Sequence, residues 1–398
     1  MPIQDTDAWK SAEWRYSSIQ AALTLPFPGL AKSPGEIIEE LEGIVNECPK
    51  FYPAVLELGL RRMAGGADGS EVEQIETGLR LMLDLGDPQH TEEEAAALHD
   101  NLEDLWRFDL CQRCLETLVE RFPDKALFWD HLGNATAQLG EVETALRHAA
   151  KATALAPDNA HFRCNHGLFC LMAGNASEAE IHLSAALRLD PGNEVTKGNL
   201  KIQKYLARHG GNFSDYLVRP VDREQIERLS DNDELERLDE LCATYNFDRL
   251  QALGRNLAAA QDSRSRCANM VKTLENYFDF VDRVSSMAGL LYEDIAHVHQ
   301  NFHTIMHKFI FKFADVDRET IEDVCKSLLE YYGFLAGEEL VSSAEFKRFR
   351  AMVRRDKKGL VDKMEGYNEI RHDRGLDEEE KEAICDELFD GDHLWPHL

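Results

Sequence analysis

What this 398-residue chain has little of narrows its function first. It contains no run of about 18 apolar residues, so the sequence predicts no bilayer-spanning helix. The N-terminus, MPIQDTDAWKSAEWRYSSIQ, has no basic region leading into an apolar stretch, which argues against a secretory signal. Proline and glycine number 12 and 25, too few for a fibrous or disordered chain. Positive charge is scarce: 44 Lys and Arg face 73 Asp and Glu, a formal net charge of −29. Such a surface repels phosphate backbones and anionic headgroups, so neither a general nucleic-acid binder nor a membrane-surface protein fits. No Gly-x-Gly-x-x-Gly, Gly-x4-Gly-Lys-Ser/Thr or Gly-x-Ser-x-Gly motif is present, which leaves nucleotide-dependent and α/β-hydrolase chemistry without support.

The nine cysteines are odd in number and scattered, and Cys111, Cys267 and Cys325 fall on apolar helical faces. That pattern predicts reduced, buried thiols and a cytoplasmic protein rather than a disulfide framework. The one close pair, Cys111 and Cys114, has neither the βαβ context of a redox motif nor a second pair to complete a zinc site. Helix–helix packing is its expected role.

What is present is a repeat. Residues 126–159 and 160–193 align at an offset of 34 without a gap. Gly133 matches Gly167, Gly140 matches Gly174, and Ala145 and Ala152 match Ala179 and Ala186. Pro157 matches Pro191. The first glycines let two helices approach, the second supply a tight turn, and the alanines allow close interlocking. The prolines end each unit. Trp129 and Leu132 fill the space beneath the small residues. This pattern resembles the tetratricopeptide repeat family, with Trp129, Leu132, Gly133, Gly140, Ala145, Ala152 and Pro157 at signature positions. Thr136 and Cys170 depart from it where an aromatic is usual, and Arg163 stands in place of the Trp.

Weaker copies extend the array. Residues 92–125 keep Leu98, Leu102, Cys111, Leu118 and Pro123 but lack both glycines. Residues 52–88 carry Leu58-Gly59 and a Gly65-Gly66 turn. Ile37, Leu41 and Ile44 mark another helix, partnered within 5–23, and 194–208 reads as a capping helix before His209-Gly210-Gly211. The expected fold is all-α: an N-terminal helix and loop over 1–35, a right-handed solenoid over 36–208, and an α-helical bundle over 209–398.

In such a solenoid the first helix of each pair lines the concave side. The residues expected there are Leu127, Asp130, His131, Asn134 and Gln138, then His161, Cys164, Asn165, Leu168 and Met172, then Asn199 and Ile202. Asn165 and Asn199 stand 34 apart, and a column of amides suits an extended peptide backbone. Leu168 and Met172 offer apolar pockets. Some members of the resembled family clamp a C-terminal carboxylate with Lys, Asn, Asn, Lys and Arg. Asn134 and Asn165 match the two Asn, but Asp130, Val195 and Asn199 occupy the cationic positions, so that clamp is rejected. A polar or basic partner fits better, and the acidic run Glu92, Glu93, Glu94, Asp100, Glu103 and Asp104 points the same way. No cofactor is expected, and self-association stays open.

Beyond Asn212 the period is lost. A loop is expected over 212–219, then helices over 222–229, 233–245, 248–260, 265–312 with a break near Gly289, 318–332, 343–355, 358–372 and 378–389. Asp377 with Glu380 forms a capping box. Three features offer alternative chemistry. In the His-rich helix 293–307, Glu293 and His297 precede a stripe of His299, His303 and His307, whose i,i+4 spacing suits a divalent metal. Glu369 and His372 have the spacing found in di-iron bundles, with Asp294–His297 as the nearest partner. The basic helix 346–358 carries Lys347, Arg348, Arg350, Arg354, Arg355, Lys357 and Lys358, a face for an acidic partner or nucleic acid. For each, surface solvation or internal pairing is the competing explanation. The leading expectation is a non-catalytic scaffold or adaptor that holds a protein partner in the solenoid groove.

Overall fold

A computed structural model describes residues 3–24, 32–64, 70–86, 90–259, 264–285, 288–313, 316–373 and 375–389. The side chains of 24, 258–259, 264–269, 309, 312–313, 371–372 and 378 lie outside that description, as do Cys267 and the Gly65-Gly66 turn. Among the described residues every regular element is helical. The chain divides into two compact units, Met1–Lys204 and Tyr205–Leu398.

The first unit contains α1 (Asp7–Thr24), α2 (Pro34–Glu47), α3 (Tyr52–Ala64), α4 (Ser70–Leu85), α5 (Thr91–Asp104), α6 (Phe108–Arg121), α7 (Ala126–Gln138), α8 (Val142–Leu155), α9 (Ala160–Met172), α10 (Ala176–Leu189) and the start of α11 (Glu194–His209). Helical hairpins pair α7 with α8 and α9 with α10, and each hairpin packs on the one before. The glycine and alanine pattern explains the spacing. A Cβ on Gly167 would stand 2.6 Å from Leu183 Cγ and 3.3 Å from Ala179 O, and one on Gly133 3.0 Å from the Phe169 ring. Ala145, Ala152, Ala179 and Ala186 are fully buried at the crossings.

The turns show how the degenerate copy manages without glycine. Gly140 and Gly174 take φ of 84° and 77°, and each turn closes with the same two bonds. Gly140 N donates to Ala137 O and Glu141 N to Thr136 O, while Gly174 N donates to Leu171 O and Asn175 N to Cys170 O. Between α5 and α6 the same pair recurs, Trp106 N to Glu103 O and Arg107 N to Leu102 O, with Trp106 at φ 53°. A tryptophan thus holds the left-handed position that glycine holds 34 and 68 residues later, a strain of about 1–3 kcal/mol. The missing tryptophan also has a substitute. Trp129 Nε1 donates to Pro123 O at 2.8 Å, and Arg163 Nε donates to Pro157 O at 2.7 Å, the equivalent bond one repeat on.

The second unit contains α12 (Phe213–Leu217), α13 (Arg223–Asp231), α14 (Leu235–Ala259), α15 (Arg264–Ser285), α16 (Ile295–Thr304), a π-helical turn (Ile305–Phe309), α17 (Ile310–Phe313), α18 (Arg318–Gly337), α19 (Ser343–His372) and α20 (Glu378–Leu388). The stretch expected as a loop over 212–219 contains α12, started by an Asn212–Asp215 capping box. Edge-to-face rings fill the core: Tyr332 on Phe349 at 5.0 Å, Phe302 on Phe349 at 6.1 Å and Phe278 on Tyr331 at 5.3 Å. The expected helices 233–245 and 248–260 are one helix, α14, and 343–355 and 358–372 are one helix, α19. Asn246 lies in the gap expected between the first two, where an amide can compete for backbone bonds. Here Nδ2 donates to Leu290 O at 2.9 Å and Oδ1 accepts from Tyr292 N at 2.8 Å, so the amide ties a loop to the helix instead. The helix break falls where glycine was expected to place it: Gly289 has φ 74°, between α15 and α16. Asp377 and Glu380 form their capping box.

Candidate partner-binding face

The first helices of successive hairpins, α5, α7, α9 and α11, present side chains to one another along one face. Leu127, His131, Asn134, Gln138, Asn165 and Leu168 are half-buried there and His161 is exposed. Asp130, Met172 and Asn199 are buried, which differs from their expected place on an open surface. The reason is lateral: each first helix lies against the next, and these side chains fill the seam.

That seam is a polar ladder. Asn165 Nδ2 donates to Asp130 Oδ2 at 2.9 Å, and Asn199 Nδ2 donates to Cys164 Sγ at 3.4 Å, the equivalent pair one repeat on. Asn134 Nδ2 donates to Glu103 Oε1 at 2.8 Å. The amide donors that suggested peptide-backbone recognition are therefore engaged inside the solenoid. Their contribution is register between hairpins, at about 1 kcal/mol per bond.

Charge on this face is negative and incompletely satisfied. Asp130 is 1% exposed, yet its Oδ1 has no hydrogen-bond partner among the described residues. Its other oxygen lies 3.3 Å from His161 Nε2, and this hydrogen bond raises the His161 pKa. The His99 and His131 rings lie tilted at 37° with centroids 3.9 Å apart, and His99 Nδ1 meets Asp100 Oδ1 at 3.2 Å. His99 Nε2 and His131 Nδ1 are buried without partners. Burial, reinforced by His99, pushes the His131 pKa down to about 4. A neutral His131 imidazole thus sits beside the buried Asp130. Part of the acidic run is used internally: Glu92 pairs with Lys125, and Glu94 Oε1 accepts from Tyr52 Oη at 2.8 Å.

The alternative sites are placed as follows. Glu293 is the buried counter-ion of Arg249, with Nε to Oε2 at 2.9 Å, so it is committed to structure. His299 meets the Phe349 ring edge-on, while His303 and His307 stack at 4.2 Å. The π-helical turn interrupts the regular stripe between them. These three gather no common ligand set with another His, Cys, Asp or Glu among the described residues. Asp294 pairs with Arg223 at 2.9 Å, and the His372 side chain lies outside the description. On the basic helix, Arg350, Arg354 and Lys357 line a 690 Å³ cleft together with Glu322, Asp323 and Glu330, and Lys357 lies 3.5 Å from Glu322. The charge there is mixed rather than uniformly basic. Cys111 and Cys114 are buried in α6, and burial pushes the Cys114 thiol up to about 12. No described helix is long and apolar enough to cross a membrane.

No protein-family profile matches this sequence, and no curated protein is similar to it at a significant level. Solved structures do show likeness. MamA from Desulfovibrio magneticus RS-1, residue 41 to its end, is 17% identical with a TM-score of 0.34, covering 48% of this chain and 98% of that one. MamA of AMB-1 is 23% identical with a TM-score of 0.32, covering 47% and 95%. The TPR domain of P58(IPK) is 12% identical with a TM-score of 0.26, covering 87% and 89%.

Proposed function

We propose that this chain is a non-catalytic protein-binding scaffold whose first-helix face receives a basic or polar segment of a partner protein. The observation that carries this reading is the acidic character of that face, where Asp100 is exposed and Glu103 half-buried. Carboxylates within reach of solvent take charge-assisted hydrogen bonds from a lysine, an arginine or a backbone N–H of a guest. Leu127, Leu168 and Gln138, half-buried along the same helices, give the guest apolar and polar contacts. The eight described cysteines are buried and free, which fits a reducing, cytoplasmic setting.

The test is calorimetry with a lysine- and arginine-rich peptide and its glutamate counterpart. The basic peptide is expected to bind and to weaken with salt. Asp100→Asn with Glu103→Gln keeps the side-chain shapes and is expected to weaken binding about tenfold. Equal binding of both peptides, or no loss in the double variant, places the interface elsewhere.

A further inference from the structure

A second cluster lies inside the hairpin of α9 and α10. His166 and Cys170 stand one turn apart on α9, and His182 faces them from α10. One ligand atom from each lies within 4.8 Å of the others. We propose that His166, Cys170 and His182 form a binding site for one zinc ion, held by two imidazoles and a thiolate.

Packing does not call for these residues. The preceding hairpin, 34 residues earlier, fills the same two α7 positions with Leu132 and Thr136, both buried. Thr136 closes its hydroxyl on Leu132 O, and that hairpin is complete without a ligand. Replacing them with an imidazole and a thiol puts polar atoms where the fold is served by apolar or self-satisfied ones, at a desolvation cost. The third member, His182, aligns with His148, which instead lies over the Trp129 ring at 5.6 Å. The trio is assembled in this hairpin alone of the two.

The protons are arranged for coordination. Thr153 Oγ1 donates to Ala149 O at 2.9 Å and stands 3.3 Å from His166 Nδ1. With its own proton committed, Thr153 accepts from Nδ1–H, which leaves the lone pair on Nε2 and fixes the ring as a ligating histidine is usually fixed. His182 Nδ1 is buried and has no hydrogen-bond partner among the described residues. The two rings stack with centroids 3.7 Å apart and 25° between planes, so a modest rotation converges their nitrogens. Tetrahedral zinc sets neighbouring ligand atoms about 3.3–3.6 Å apart, within reach of that rotation. Two further charges face the cluster: Arg163, which disfavours added positive charge, and Glu178, which favours it. On binding, the Cys170 thiol gives its proton to solvent and its thiolate to the metal, one proton released per ion. Three protein ligands leave the fourth position to water or to a partner side chain. His182 is half-buried, which gives the ion a route in.

The experiment titrates the chelator-treated full chain with cobalt(II) as a spectroscopic probe, then displaces it with zinc. One equivalent per chain is expected, with a thiolate-to-cobalt charge-transfer band and the visible bands of tetrahedral cobalt. Cys170→Ser should abolish the charge-transfer band, and His182→Gln should weaken zinc binding about 100-fold with unchanged helicity. If the serine variant fails to fold, the half-exposed His182→Gln decides alone. The proposal is overturned by the absence of a thiolate band, by a band that survives Cys170→Ser, or by zinc lost on His303→Ala and retained in His182→Gln. A cluster that binds nothing is a stacked histidine pair and no more.

Discussion

The two units solve the same problem, burying helix faces, by opposite means. In the first, closeness comes from what is missing: Gly133, Gly167 and the buried alanines let backbones approach, and each hairpin depends on its neighbours. In the second, rings from distant helices meet in one core, and charge is taken inside with them. Arg249 is 1% exposed and spends its guanidinium on Glu293 Oε2, Arg219 O at 2.6 Å and Leu217 O. Arg219 in turn holds Asp248 at 2.5 Å and lies over the Tyr216 ring at 3.7 Å. Burial raises the Asp248 pKa, and Arg219 only partly offsets it. Local repetition makes the first unit legible and modular. Long-range convergence makes the second specific and dependent on single residues.

The sharpest way to break that contrast is Arg249→Met. It leaves Glu293 buried without its cation, and a loss of about 3–5 kcal/mol is expected in the second unit. Urea unfolding with hydrogen exchange should show protection collapsing across α14, α16 and α18 while α7–α10 keep theirs. Equal loss in both would show that the two units do not unfold separately. Next in size is Gly167→Val, which forces a side chain against Leu183, itself fully buried and unable to swing away. A loss of about 1–3 kcal/mol is expected in the first unit alone. Stability equal to the parent protein would mean the hairpins tolerate wider spacing than the small residues imply.

The smallest effect is on pH. His131 and His166 have folded pKa values near 4 against 6.5 for the free side chain. The unfolded chain therefore binds more protons between those limits, and stability falls as pH drops from about 6.5 towards 4. His161 runs the other way: its raised pKa gives stability that is full below 6.5 and is lost as pH rises through the folded value. Melting of the metal-free protein should drop by roughly 3–6 °C across the acid window. His166→Leu, which copies Leu132, should flatten that slope. An unchanged slope would assign the acid sensitivity to other groups.

The solenoid was readable because its causes are local. Gly140 and Gly174 sit in turns, Pro157 ends a unit, and the period of 34 repeats the reasons. Trp106 was unreadable as a turn residue, since nothing in a tryptophan announces a left-handed backbone. Residues of the candidate face were partly legible. The register placed Asn134, Asn165, His161, Asp130 and Asn199 on first helices, but did not reveal the burial of Asp130 and Asn199 or the pairing of the amides across the seam. In the second unit, caps such as Asp377 were plain, whereas Glu293 carried a local signal that its long-range partner Arg249 overrode.

By itself, then, the order of residues determined which segments are helical, where hairpins turn, and which small side chains allow close crossing, because those properties depend on neighbours within a few turns. The packed fold alone decided that Asp130 keeps an unfilled oxygen, that Glu293 serves Arg249, and that His166, Cys170 and His182 meet. Burial and partnership are set by helices that are remote in the chain and adjacent in space, and no period along the chain encodes that distance.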